Sequence, residues 1–456
     1  MSDTDDKDHL AAAVSLPWWR RTLDPYRKPE MAGMLLLGFA SGLPLYLVYQ
    51  KTSFWLRLEG IERSTIGFFY WVGLAYSFKF VWAPIIDKIR VPVIGAMLGH
   101  RRSWMIVSIV GTVLGLLVIS TGTPSVSLLP ITLGAILLAF SGATLDVSID
   151  AWRIESAPTE TQANMAATYS LGYRGAYIFS GFGFIVADFV NWNASFVFMA
   201  CAMAATAALV LLVREPPRPN GSLLEKTDPL FIRMRKMFVE PFQQVAERFG
   251  VVLVPILALV LFYRITDFTM GVMASPLYAD LGYAPATVGA LQSGPGVIAT
   301  IFGLFLGGIA AQVWGIMRSL VLGAFLTLIT TAAYAWFAHT ATGDDPLFLA
   351  LAICADNVAG GFVTTVFIAY LSSLVDPAFA ATQYALFSSL YAFMNKFLAG
   401  FSGVLADAFG WVPFFLITAS FAIPAGGLVL LVSAMQRKYP PKAITLSDVE
   451  PAPIAR

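Results

Sequence analysis

The sequence predicts an all-α membrane protein in which twelve transmembrane helices form two six-helix bundles. Three observations predict it. Of the 456 residues, 57% are hydrophobic and only 12% charged, with a mean hydropathy of +0.72, a composition too oily for a soluble globular chain. Apolar runs near the roughly 20 residues that a helix needs to cross a bilayer recur along the chain. A hydrophilic, basic stretch in the middle divides these runs into two sets of six.

Taken in order, the N-terminus, MSDTDDKDHL, is acidic where a secretory signal would be basic, and the first apolar run begins near Met31. Residues 1–30 therefore read as a retained cytosolic tail. An N-terminal bundle occupies residues 31–213, with spans over roughly 31–50, 64–86, 103–121, 128–150, 165–188 and 194–213. Residues 214–250 form a cytoplasmic linker that starts with the Pro-rich REPPRPNG. Its second part, LFIRMRKMFVEPFQQVAERFG, alternates apolar and basic residues in a way that suits a helix lying in the interface or a solvated linker helix. A C-terminal bundle follows over 251–434, with spans over roughly 251–278, 287–311, 318–338, 347–373, 380–406 and 411–434. Residues 435–456 read as a second cytosolic tail.

Orientation follows from the basic residues, because cytoplasmic loops retain Lys and Arg. With both termini inside, the outer loops hold only Lys51, Arg57 and Arg63, while Lys79, Arg174, Arg264 and Lys396 lie within spans. The remainder of the 29 Lys and Arg residues then face the cytoplasm. Six spans, a basic cytoplasmic hinge and six more spans is the layout of transporters that move two bundles around a central site.

The net charge of +1 gives no basic surface for nucleic acid. Cys201 and Cys354 sit inside apolar segments, and His9, His100 and His339 are far apart. Neither a disulfide framework nor a metal-ligand spacing results, so no metal and no cofactor is expected.

Ionisable groups inside a membrane cost about 2.5–3.5 kcal/mol each near the bilayer centre, so they stay where they are paired or face water. Here they are numerous: Lys79, Asp146 and Asp150, Arg174, Arg264 and Asp267, Asp356, and Lys396. Every one of them could be a structural ion pair that lets a polar helix insert. Asp150, beside Trp152 and Arg153, reads as a latch partner for the basic loop after the second span. Asp146 lies a full turn deeper, where burial favours the neutral form of a carboxyl group unless a cation such as Arg174 reaches it. Arg264 and Asp267 are three apart on one helix and can satisfy each other. Asp356, with Asn357 and then Gly360 and Gly361, suits a water-lined face. The proton-coupling candidates are thus Asp146, Asp267 and Asp356. Lys79, Arg174, Arg264 and Lys396 are candidates for holding a substrate carboxylate, and Tyr173 and Tyr177, with Asn357 and Gln383, for its polar groups.

Between the second and third spans stands APIIDKIRVPVIGAMLGHRRSW, an acid at a helix end followed by a Gly-basic cluster. It resembles the loop signature of the major facilitator superfamily, with Ala83 in place of the first Gly. The physical role is a cytoplasmic charge latch, here Asp87 with Arg101, Arg102 and Asp150. The equivalent place in the second half reads LGGIAAQVWGIMRS, with Arg318 retained but Gln312 where an acid is expected, so that latch is weakened or absent.

Longer stretches carry a narrower resemblance. LLLGFASGLPL, TIGFF, YSFKFVWAPIID, DVSIDAW, LGYR, DNVAGGF, FIAYLSSL and FAATQYALFSSL are similar to the anhydromuropeptide permease (AmpG) family of that superfamily, over nearly all twelve spans. The resemblance implies the major facilitator fold and import of GlcNAc-anhydroMurNAc-peptides across the bacterial inner membrane for peptidoglycan recycling, by proton symport in a monomer. It also implies a link to β-lactamase induction where that regulation exists. Two departures stand out: Ser293 lies where some relatives have a Lys, and some members extend beyond twelve spans. The nearest alternative is transport of another amphiphilic anion such as an acyl-coenzyme A, a nucleotide-sugar or an oligosaccharide. A membrane enzyme would need a phosphate loop or a His/Asp cluster, and a sensor a sizeable cytoplasmic domain; the sequence has neither.

Overall fold

The structure is a computed structural model that describes residues 27–156, 162–216, 240–375 and 380–440. Among these residues helices make up every element, with no β-strand. Nine helical stretches are long and apolar enough to cross a membrane, beginning with Pro29–Leu58 and ending with Trp411–Lys438. The other three expected crossings, near 64–86, 165–188 and 380–406, are helical but less suited on composition or continuity. The first is broken by 3₁₀ turns, and the other two carry polar side chains such as Asn164, Tyr173, Arg174, Gln383 and Asn395. Most of the linker reading, including the basic stretch around Arg233 and Lys236, lies outside the described residues, as do most of both tails.

Two compact units emerge. The first comprises residues 1–61, 72–221 and 278–294. It contains α1 (Pro29–Tyr46), α2 (Thr52–Leu58), α4 (Ala75–Phe78), α5 (Ala83–Lys88), α6 (Ile94–Leu98), α7 (His100–Ser120), α8 (Leu129–Ser156), α9 (Gln162–Phe189), α10 (Trp192–Leu212) and α14 (Pro285–Ser293). A π-helical turn, Leu47–Lys51, joins α1 to α2, so the first crossing continues past Gln50. Lys51, expected in an outer loop, is 1% exposed. Its Nζ packs against Gly183 and lies 5.6 Å from the centre of the Phe184 ring. The apolar continuation Phe54, Trp55 and Leu56 explains the difference, because burying these residues against Phe184, Trp192 and Phe196 draws Lys51 inward with them. Arg57 is not a free loop cation either, since it pairs with Asp280. Between Lys79 and Val81 the chain tightens into a 3₁₀ turn, and α geometry resumes at Ala83; Pro84, having no N–H, cannot bond the Phe80 carbonyl four residues earlier, so one continuous α-helix is interrupted there.

The second unit comprises residues 62–71, 222–277 and 295–456. Its elements are α3 (Arg63–Phe69), α11 (Glu240–Phe249), α12 (Leu253–Phe262), α13 (Ile265–Asp280, up to Leu277), α15 (Pro295–Trp314), α16 (Ile316–Thr340), α17 (Pro346–Leu374), α18 (Ala380–Ala399), α19 (Ser402–Phe409), α20 (Trp411–Ser420) and α21 (Ala422–Lys438). Ile256, Leu259, Leu320, Val366, Phe367 and Val429 form part of its continuous buried core. Where α15 crosses α17, small residues allow the backbones to meet. A Cβ at Gly303 would lie 2.1 Å from the Val358 carbonyl oxygen, and one at Gly361 would lie 2.4 Å from that of Thr300. Arg63 of α3 donates to the Ala406 carbonyl at 3.1 Å and lies 4.3 Å from the Trp411 ring centre.

Candidate functional site

Each unit holds its own polar cluster inside spanning helices. In the first, Asp146 on α8 accepts a short hydrogen bond from Ser41 on α1, and Ser41 Oγ in turn meets the Tyr169 hydroxyl on α9. Three helices thus converge on one carboxylate. Arg174, the cation expected to reach Asp146, makes no ion pair or hydrogen bond among the described residues and stays half-buried on α9. The geometry is helical: Tyr169 is placed toward α1 by the same face that turns Arg174 elsewhere, five residues and about 140° further round. On the same helix, Tyr177 accepts from Gln50 Nε2 at 3.5 Å, and Tyr173 stacks obliquely on Tyr169 at 6.1 Å.

Lys79 sits one turn of α8 away from this carboxylate, with its Nζ 3.4 Å from Asp150 Oδ2. Asp150 also lies 3.8 Å from Arg153. Asp150 therefore serves Lys79 and its own helix, whereas Arg101 turns to Glu155, a residue the sequence reading passed over. That pair is bidentate, with Arg101 Nη2 to Glu155 Oε1 at 2.6 Å and Nε to Oε2 at 3.0 Å. Nearby, the Glu215 carboxylate accepts from the backbone N–H groups of Arg101 (2.7 Å) and Arg102 (3.0 Å). An acid there satisfies the orphan donors at the start of α7 and complements its dipole. Arg102 donates to the Leu211 carbonyl at 2.6 Å, and Trp152 to that of Arg214 at 2.8 Å. The opening of the linker is thus fastened to the ends of α7 and α8. Asp87 lies in α5, and its expected latch contact falls outside the described side chains.

In the second unit, the span that begins at Leu253 breaks at Tyr263 and Arg264 before α13 starts. The break puts a cation at the end of α12 and Asp267 in the first turn of α13, the sign each helix end favours. Arg264 Nε donates to Asp267 Oδ2 at 2.9 Å, and Nη1 to the Tyr391 hydroxyl on α18 at 3.3 Å. Thr327 of α16 reaches the other Asp267 oxygen at 3.4 Å. Asp356 on α17 is half-buried and feels the charges of Asp267 and Arg264, yet it makes no hydrogen bond or ion pair among the described residues. Its neighbour Asn357 is hydrogen-bonded through both amide atoms: Thr300 donates to its Oδ1 at 3.0 Å, and its Nδ2 donates to the Ile353 carbonyl at 2.9 Å. Gln383 is 2% exposed and Lys396 half-buried, and both have interaction partners.

Sequence reasoning missed Ser41, Tyr169, Glu155, Glu215 and the buried position of Lys51. Only Lys51 carried a usable signal, the aromatic run directly after it. Among the described residues no group of His, Cys, Asp and Glu could hold a metal ion.

A polytopic helical fold with carboxylates and bases held at depth in its crossings is that of a membrane transporter. The chain belongs to the AmpG family of the Major Facilitator Superfamily, whose model matches residues 60–395 and 257–455. It is 32% identical over 397 residues to a transporter named AmpG 4 from Rickettsia felis, covering 86% of this chain and 94% of that one. It is 31% identical over 415 residues to the anhydromuropeptide permease of Escherichia coli, covering 90% of this chain and 81% of that one. The solved structure of a bacterial homologue of the human lysosomal transporter Spinster superposes with a TM-score of 0.66 at 15% identity, covering 91% of this chain and 98% of that one. At that identity it speaks for the fold alone.

Proposed function

We propose that this chain imports anhydromuropeptides from periplasm to cytoplasm across the bacterial inner membrane, with both termini inside, coupling entry to protons by alternating access. The observation that carries the reading is chemical: each unit holds, within a spanning helix, a half-buried charged group that makes no hydrogen bond or ion pair among the described residues, Arg174 in the first and Asp356 in the second. Holding an unpaired charge at depth is costly unless a ligand or water meets it. A guanidinium is suited to a substrate carboxylate in a bidentate hydrogen bond, and an uncommitted carboxyl group can bind and release a proton. The committed groups have supporting parts. Arg264 and Asp267 form a pair whose opening would expose a second acid, and Ser41 and Tyr169 orient Asp146. Tyr173 and Tyr177 offer rings and hydroxyls to sugar faces. The name of the Escherichia coli relative supports the substrate class.

The test is uptake by inverted-control and right-side-out vesicles of labelled GlcNAc-anhydroMurNAc-tripeptide, with acyl-coenzyme A, nucleotide-sugar and oligosaccharide as competitors, with and without a protonophore. The proposal requires protonophore-sensitive accumulation that unlabelled anhydromuropeptide alone displaces. Displacement by one of the other anions instead would reassign the substrate.

A further inference from the structure

A cavity of about 900 Å³ lies within the second unit, where the turn between α15 and α16 meets the ends of α17 and α21. Charge bias puts this end of the helices on the cytoplasmic side. Four features there point to an anion. Arg318 and Arg437 both line the cavity, both are exposed, and neither makes an ion pair or hydrogen bond among the described residues. Arg318 is the base retained in the second copy of the loop signature, and Gln312 stands where the acid that would neutralise it is expected.

The third feature is the N-terminus of α16, a 25-residue helix whose capping residue, Gly315, has no side chain to satisfy the first N–H groups. Gly315, Ile316 and Met317 line the cavity, so those donors and the positive end of the dipole border it. The fourth is independent of the others. Tyr370 of α17 also lines the cavity, is 1% exposed, and its buried hydroxyl has no hydrogen-bond partner. A buried hydroxyl left unsatisfied is a cost that an acceptor oxygen in the cavity removes.

The walls identify the source of the anion. Trp314 and Leu430 line the cavity while 53% and 60% exposed, on helices that belong to membrane crossings. The basic end of the cavity thus runs into an apolar surface that hydrocarbon covers. A soluble phosphate has no use for that surface; a phospholipid covers both at once.

We propose that this cavity binds the phosphate group of an anionic phospholipid of the cytoplasmic leaflet, held by Arg318, Arg437, the α16 N-terminus and the Tyr370 hydroxyl, with its acyl chains along Trp314 and Leu430. The reading does not depend on the transported substrate.

The test is equilibrium binding by the purified full-length chain in detergent of fluorescent phosphatidylglycerol, with phosphatidylcholine as the zwitterionic control and inorganic phosphate as competitor. The wild-type chain binds phosphatidylglycerol at least about tenfold more tightly than phosphatidylcholine. The double variant Arg318→Gln, Arg437→Gln weakens phosphatidylglycerol about a hundredfold, tenfold for each charge-assisted contact. Because both arginines are exposed and unbonded, its thermal midpoint stays that of wild type. Tyr370→Phe, which removes only the unpartnered hydroxyl, weakens binding about fivefold. Equal affinity for the two lipids, or phosphatidylglycerol binding unchanged in the double variant, overturns the site. Displacement of the lipid by millimolar inorganic phosphate overturns the lipid as source, and resistance to that competition supports it.

Discussion

Neutralising Asp267 and Asp356 in turn separates their roles. Asp267 and Arg264 are 2.9 Å apart, with side chains 17% and 15% exposed, so little water screens the pair. Removing one partner of a buried pair costs about 3–5 kcal/mol, because the other charge is left alone. Arg264 retains the Tyr391 hydroxyl and some exposure, which puts Asp267→Asn at the lower end, about 3 kcal/mol. For a unit of this size that lowers the thermal midpoint by about 6–12 °C. Asp356 has no hydrogen bond or ion pair to lose, so Asp356→Asn changes stability by less than about 1 kcal/mol. Transport reverses the order of interest. One pH unit across the membrane is worth about 1.4 kcal/mol per proton, or about tenfold accumulation at one proton per substrate. In proteoliposomes with that gradient, Asp356→Asn equilibrates substrate but does not concentrate it, while wild type reaches the tenfold excess. Dye-monitored melting and labelled uptake read the two effects separately. Asp356→Asn protein that concentrates substrate like wild type, or that melts as early as Asp267→Asn, refutes the reasoning.

Arg174→Gln raises the KM for anhydromuropeptide uptake about tenfold with an unchanged thermal midpoint, since no ion pair is lost; initial rates against substrate concentration check it. Glu155→Gln breaks the bidentate bond to Arg101, whose side chain is 8% exposed, and lowers stability by about 2 kcal/mol, measured by thermal shift. Gly303→Leu forces a side chain into the Val358 backbone at the α15–α17 crossing and costs about 3 kcal/mol or more, visible as loss of monodisperse protein on size exclusion.

The architecture was legible because a bilayer imposes strong rules on sequence. Runs of about 20 apolar residues had to be helices, and those between 100 and 213 emerge within three residues of their expected ends, except that the helix expected to stop at 150 runs on to Ser156. Where the reading failed, the cause was a rule applied too locally. Ending the first span at Gln50 treated Lys51 as a boundary, although Phe54, Trp55 and Leu56 continued the apolar face beyond it. The intramembrane charges were also legible as residues, since each is a conspicuous exception in an oily run. Their partners were not: Arg264 and Asp267 share a turn and could be paired by spacing alone, but Asp146 with Ser41, and Arg101 with Glu155, depend on how separate helices rotate against one another. The hydrogen bond between Asn357, read as a binding group next to Asp356, and Thr300 was equally illegible, because only the crossing of α15 and α17 brings Thr300 to it.

Proton coupling is tested most directly by the pH inside proteoliposomes when anhydromuropeptide is added outside with no imposed gradient. Inward symport by Asp356 predicts a saturable internal acidification in wild type that Asp356→Asn abolishes. Entry of labelled substrate into wild-type vesicles with the internal pH unmoved would contradict it.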